Sequence, residues 1–183
     1  MINANLVFIV FILIFGLVGA MRGWVREVIV TASLILALFV INQLGERWNT
    51  LVAGITGQHT AEQWLLRAAP LFIIAFFGYL GPAVVRSRFE QNARGKLEQG
   101  ILAFIIGGIN GYIIFSTLMF IAWRAGILDS PPPAGNQSPL FTAPVGGWGE
   151  LFFIKSAALS VLSGSTLVIV LIAVFLFVIV VII

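Results

Sequence analysis

The chain has 183 residues, 60% of them hydrophobic and 9% charged, with a mean hydropathy of +1.10. Soluble domains carry about 25% charged residues, and a surface this poor in charge would expose apolar patches that aggregate in water. The absence of cysteine excludes disulfides, thiolate metal sites and cysteine nucleophiles; a net charge of +3 with no dense Lys/Arg run excludes a nucleic-acid surface.

Composition therefore predicts an all-α, polytopic membrane protein. A bilayer core takes roughly 20 apolar helical residues per span. The first predicted span is Leu6–Ala20, extendable over Ile2–Asn5. A signal peptide would want a basic start and a small-residue cleavage site. Here no charged side chain precedes Leu6, and Arg22, Arg26 and Glu27 follow, so the segment reads as an uncleaved span.

The second span is Trp24–Leu44. Its short link to the first predicts a tight antiparallel hairpin. Arg26 and Glu27 lie in its first turn, close enough to an interface to keep their heads wet by snorkelling. Gly45–Gln63 reads as a polar connection containing Glu46, Arg47, His59 and Glu62. Thr60 and Gln63 have capping-box spacing, which starts a helix near Ala61 with its membrane part over Leu65–Val85. Pro70 and Gly81-Pro82 predict kinks within it.

Arg86–Glu98 is the most charged stretch, and Gly100–Trp123 is the fourth span. Arg124–Lys155 is a long Pro/Gly-rich connection. Its Phe141, Trp148, Phe152 and Phe153 place it against the membrane surface. Leu159–Ile183 is the last span. The expected count is five membrane-spanning helices, with four as the lower count. Residues 1–153 read as a four-helix body and residues 154–183 as an added helix.

Arg22, Arg26, Arg86, Arg88, Arg94 and Lys96 fall in the first and third connections; Arg47, Arg67, Arg124 and Lys155 fall in the second and fourth. Basic residues in short loops mark the cytoplasmic side. The N-terminus is therefore expected outside and the C-terminus inside.

Small residues recur one helical turn apart: Ala103, Gly107 and Gly111 in the fourth span, with Gly16 and Ala20, and Gly19 and Gly23, near the first hairpin. Such stripes let helix backbones approach closely. They serve either packing within one bundle or a seam for self-association or another membrane subunit. Asn110, mid-membrane beside Gly111, wants a hydrogen-bond partner across a helix contact; the other reading is a polar pathway. No ionisable residue is expected deep in any span, which argues against a secondary transporter.

His59 reads as a loop histidine with too few neighbouring ligands for a metal. Ser116, Ser163 and Ser165 have no base at triad spacing, and the glycines do not form a phosphate-binding loop. No cofactor, metal or small-molecule substrate is expected. Arg22, Arg26 and Glu27 serve either as headgroup anchors for the turn or as a foothold for a cytoplasmic partner.

The run Gly19-Ala20-Met21-Arg22-Gly23-Trp24-Val25-Arg26-Glu27 resembles the Arg-Gly-aromatic-x-Arg-Glu signature of the colicin V production protein family. Ala103–Gly111 is similar to that family's second landmark, a fourth span with glycines at one-turn intervals. Here Asn110 stands where a basic residue is common, and residues 159–183 extend beyond the usual four spans. The resemblance implies a bacterial inner-membrane protein linked to toxin production or export. From the residues themselves we expect a non-enzymatic scaffold or an accessory subunit of a larger assembly, such as a respiratory or photosynthetic one. The alternative is an export or channel component.

Overall fold

A computed structural model describes residues 4–56, 60–80, 96–124 and 165–182. These form five α-helices: α1 (Ala4–Arg22), α2 (Trp24–Thr56), α3 (Thr60–Leu80), α4 (Lys96–Arg124) and α5 (Ser165–Ile182). Asn5–Arg22, Trp24–Gln43 and Leu97–Arg124 are long and apolar enough to cross a membrane. Trp64–Leu80 and Ser165–Val180 are shorter apolar helices where the third and fifth spans were expected. The expected ends of those two spans, Gly81–Val85 and 159–164, lie outside the described residues, as do His59 and the Pro/Gly-rich connection. The protein is an all-α, multi-pass membrane protein.

The core explains why α2 sits at the centre. Val30, Leu34, Ala37 and Leu38 form an apolar stripe at helical spacing and pack with Leu71 of α3, Ile113 of α4 and Leu167 of α5. On the other side of α4, Phe8 of α1 packs with Tyr112, Phe115 and Met119. The Phe8 ring lies 5.9 Å from Tyr112 and 5.5 Å from Phe115. Gly19 meets Ala103 and Gly107, so α1 and α4 run antiparallel.

Two expectations change. First, α1 and α2 do not form a hairpin packed along its length. α1 lies chiefly along α4, and α2 chiefly along α3. The reason is steric: the glycine face of α4 admits the α1 backbone more closely than any ordinary pair of side chains would allow. Second, α2 does not stop at Leu44 but continues through the expected polar connection to Thr56. No proline interrupts that stretch, and the extension is tied to the bundle. Trp48 Nε1 donates to the Leu66 carbonyl at 3.0 Å, and Val52 is buried. α3 begins at Thr60 and passes through Pro70 without ending, and α4 begins at Lys96, about one turn before Gly100.

Candidate functional site

The site begins at a single residue. Gly23 alone separates α1 from α2, and its φ is 95°. This left-handed geometry suits glycine because a Cβ would crowd the adjacent carbonyl. Its N–H donates to the Gly19 carbonyl at 3.0 Å, and its own carbonyl accepts from the Glu27 N–H at 3.3 Å. One residue thus closes the last turn of α1 and opens the first turn of α2.

That corner brings Arg22 onto Glu27. Arg22 Nη1 lies 3.0 Å from Glu27 Oε1. Arg22 Nη2 donates to the Tyr79 carbonyl, in the last described turn of α3, at 2.8 Å. The guanidinium also sits 4.6 Å from the centre of the Tyr79 ring. Arg22 therefore ties the α1–α2 corner to the end of α3.

α4 supplies the second half of the site. Asn110 Nδ2 donates to Glu27 Oε2 at 2.9 Å and to the Glu27 carbonyl at 3.1 Å. Thr31 Oγ1 lies 2.7 Å from Asn110 Oδ1 and 2.9 Å from the Glu27 carbonyl. A hydroxyl has one hydrogen to give. It goes to Asn110 Oδ1, because both amide hydrogens already point at Glu27. This pattern also fixes the orientation of the amide. Each Glu27 oxygen and each polar atom of the Asn110 amide has a partner within the chain.

Glu27 corrects two expectations. It was expected to snorkel, yet its side chain is only 1% exposed, against 22% for Arg22. The helix phase explains the difference. Glu27 shares a face with Val30, Thr31 and Leu34 at positions i+3, i+4 and i+7, and that face turns inward. It was also expected that no ionisable group would lie deep in a span. Asn110, which Glu27 touches, is separated by about 18 Å of helical rise from Glu98 and about 21 Å from Arg124, with no charge between them. The carboxylate therefore lies level with the middle of α4's apolar run.

The small residues frame this cluster. A Cβ on Gly19 would lie 2.5 Å from the Ala103 carbonyl oxygen and 2.9 Å from Gly107 Cα. One on Gly107 would lie 2.5 Å from the Phe15 carbonyl oxygen, and one on Gly111 2.7 Å from Phe15 Cβ. Gly16 faces the Phe104 ring, and Ala103 is buried. Ala20 is only half-buried, while Gly19 makes the backbone contact beside it. Arg26 is half-buried, and the ion pair described here belongs to Arg22.

Two members of the site were not singled out from sequence. Thr31 stands four residues beyond Glu27, so helical spacing could have found it. The Tyr79 contact is made through a backbone carbonyl, for which a sequence carries no signal.

Fold and site together define a multi-pass helical membrane protein whose first interhelical corner is pinned to its fourth helix by a buried ion pair and an amide. The chain belongs to the colicin V production protein family, whose family model matches residues 4–147. That match takes in α1 to α4 and every residue of the site; α5 lies beyond it. No curated protein and no solved structure matches the chain.

Proposed function

We propose that the protein is a non-enzymatic scaffold or accessory subunit of a larger assembly in the bacterial cytoplasmic membrane. The N-terminus faces outside and the C-terminus the cytoplasm. The observation that carries this reading is the closure of the polar cluster. Glu27, Asn110, Thr31 and Arg22 satisfy one another, so the cluster holds helices together and leaves no acid–base pair facing a substrate. What the protein offers its surroundings is apolar helix surface. Leu6, Ile9, Leu13, Ile14, Leu17 and Met21 form an exposed row on α1, and α5 exposes Ile169, Ile172, Leu176 and Val180. Such faces suit lipid or neighbouring membrane helices, where van der Waals packing drives association.

Purification in a mild detergent followed by native mass measurement tests this reading. The expected result is a self-associated species or a complex with other membrane polypeptides. A strictly monomeric protein without co-purifying partners overturns it.

A second reading, an export or channel component, is favoured by one observation: a carboxylate buried among helices and paired with a part-buried guanidinium. Ionisable groups in such positions mark ion and proton pathways in many membrane proteins. It predicts flux in liposomes that changes with Asn110→Leu and is lost with Glu27→Gln. An inert protein in that assay removes it.

A further inference from the structure

The polar cluster around Glu27 is hydrogen-bonded in one arrangement of its hydrogens, and the same atom positions admit a second. In the first, Asn110 Nδ2 donates to Glu27 Oε2 at 2.9 Å and to the Glu27 carbonyl at 3.1 Å. The Thr31 hydroxyl gives its hydrogen to Asn110 Oδ1 at 2.7 Å. The same hydroxyl lies 2.9 Å from the Glu27 carbonyl, a contact this arrangement leaves unused. Arg22 Nη1 covers the other carboxylate oxygen, Oε1, at 3.0 Å. A guanidinium only donates, whereas a carboxamide donates at one end and accepts at the other. Of the two carboxylate oxygens, Oε2 is therefore the one whose partner can reverse its role.

We propose that Glu27 is a reversible proton-binding site inside the membrane, and that the Asn110 amide turns over when the proton binds. A proton taken from water forms an O–H bond at Oε2, and the carboxylate loses its negative charge. With the amide rotated by half a turn, Oδ1 takes the former place of Nδ2 and accepts that O–H. Nδ2 takes the former place of Oδ1 and donates to Thr31 Oγ1, and the Thr31 hydrogen turns to the Glu27 carbonyl at 2.9 Å. The contact given up is the one from Nδ2 to that carbonyl, and the Thr31 hydroxyl replaces it as donor. Oδ1 then sits near the carbonyl, an unfavourable pair that tilts the amide toward Oε2. The cluster passes from a neutral ion pair to one net positive charge, carried by Arg22. Arg22 retains the Tyr79 carbonyl at 2.8 Å, the Tyr79 ring at 4.6 Å and Oε1 as a neutral acceptor. Both protonation states thus keep the buried polar atoms paired, which is what a buried site needs to change charge without unfolding.

Glu27 is the only acid of the cluster. Arg22 is the one ionisable side chain of α1, and α5 has none. From α3 the Tyr79 phenol ring stands against Arg22. Between Glu98 and Arg124, α4 carries only Tyr112, whose ring packs on Phe8 of α1. On α2, Arg26 precedes Glu27, and the next ionisable residue is Glu46. The Glu27 side chain is 1% exposed and that of Arg22 22%, so the carboxyl lies one side chain away from accessible surface. Carboxyls inside membrane spans serve as proton sites in pumps and transporters. A bound proton needs neither flux nor a partner complex, and it stands or falls separately from both functional readings.

Infrared difference spectra of the full chain in bilayers, taken between about pH 8 and about pH 3, test the site across the ordinary range of glutamate. Acidification is expected to produce a protonated-carboxyl stretch with one component that vanishes on return and is missing from Glu27→Gln. The side-chain nitrogen signal of Asn110 in magnetic resonance, assigned by its loss in Asn110→Leu, should shift with the same midpoint. Glu27→Gln imitates the acid, because its amide N–H can donate to Oδ1. Its Asn110 signal should therefore sit, already at neutral pH, where the acidified native chain has it. Identical carboxyl bands in the native chain and Glu27→Gln overturn the proposal. So does protonation of Glu27 with the Asn110 signal unmoved. If Glu27→Gln does not fold, the labelled glutamate carboxyl and the Asn110 nitrogen are followed through their mutual contact in the native chain, and a pair that stays invariant with pH overturns it.

Discussion

Asn110 and Glu27, 83 residues apart in the chain, meet at 2.9 Å between the amide of one and the carboxylate of the other. The contact binds the fourth helix to the first turn of the second, and through Arg22 it reaches the end of the third. A carboxylate is tolerated there because one oxygen faces a guanidinium and the other an amide, so neither is left without a donor. Removing any one partner transfers the desolvation cost to those that remain.

Asn110→Leu therefore leaves Glu27 Oε2 and the Thr31 hydroxyl without their α4 partner. Interhelical hydrogen bonds in membranes average about 0.6 kcal/mol each, rising to about 1.7, and Asn110 makes several. A loss of about 2 kcal/mol is expected in reversible denaturation from mixed micelles. Thr31→Val in the Asn110→Leu background should add little, since the two report the same contact. Full additivity of the two losses would contradict the network.

Arg22→Met strands a buried carboxylate. Breaking a buried ion pair from one side costs about 3–5 kcal/mol, whereas replacing both partners with apolar groups is often close to neutral. The double variant Arg22→Met with Glu27→Leu should therefore be more stable than Arg22→Met alone, as measured by thermal aggregation in detergent. A double variant less stable than the single would show that the Asn110 contact outweighs Arg22 in holding Glu27.

The glycines divide by sign. Gly19→Ala and Gly107→Ala place a Cβ 2.5 Å from a backbone oxygen of the facing helix and should force α1 and α4 apart. Gly45→Ala, Gly54→Ala and Gly100→Ala meet nothing within 4 Å. Each should stabilise its helix by roughly 0.5–1 kcal/mol, the usual gain of alanine over glycine in a helix interior. Because the chain lacks cysteine, the separation can be read directly. A disulfide between Ile12→Cys and Gly108→Cys should form readily and be lost when Gly107→Ala is added. Unchanged cross-linking would contradict the backbone approach.

Gly23→Ala strains the corner itself. A left-handed residue with a Cβ costs roughly 1–2 kcal/mol, and Gly23→Asn should be milder because asparagine visits that region more readily. The order native, Asn, Ala in melting temperature checks this. Equal melting of the two variants would show that the corner relaxes.

Much of the fold was legible because lipid imposes a simple rule. Backbone groups must be satisfied within each segment, so long uncharged runs such as Leu6–Ala20 and Gly100–Trp123 read directly as helices. The end of α2 was harder. Glu46, Arg47 and Asn49 look like a loop by polarity, but polarity does not break a helix, and tertiary contacts at Trp48 and Val52 stabilise it. Gly107 and Gly111 could be picked out as a small-residue face, but not the residues they would meet. Nothing in the local pattern says that Phe15 and Gly19, rather than α2, supply that surface.

The sequence by itself determined that this protein lives in a bilayer as helices, where its charges stop and which family signature it carries, because composition and hydrophobic length act locally. Only the tertiary structure decided that Glu27 is buried rather than wet, that α1 lies along α4 rather than folding back on α2, and that Asn110 and Arg22 share one carboxylate. Those outcomes depend on which helix faces meet. In lipid that choice rests on close backbone approach and the pairing of a few polar groups, both properties of residues far apart in the chain.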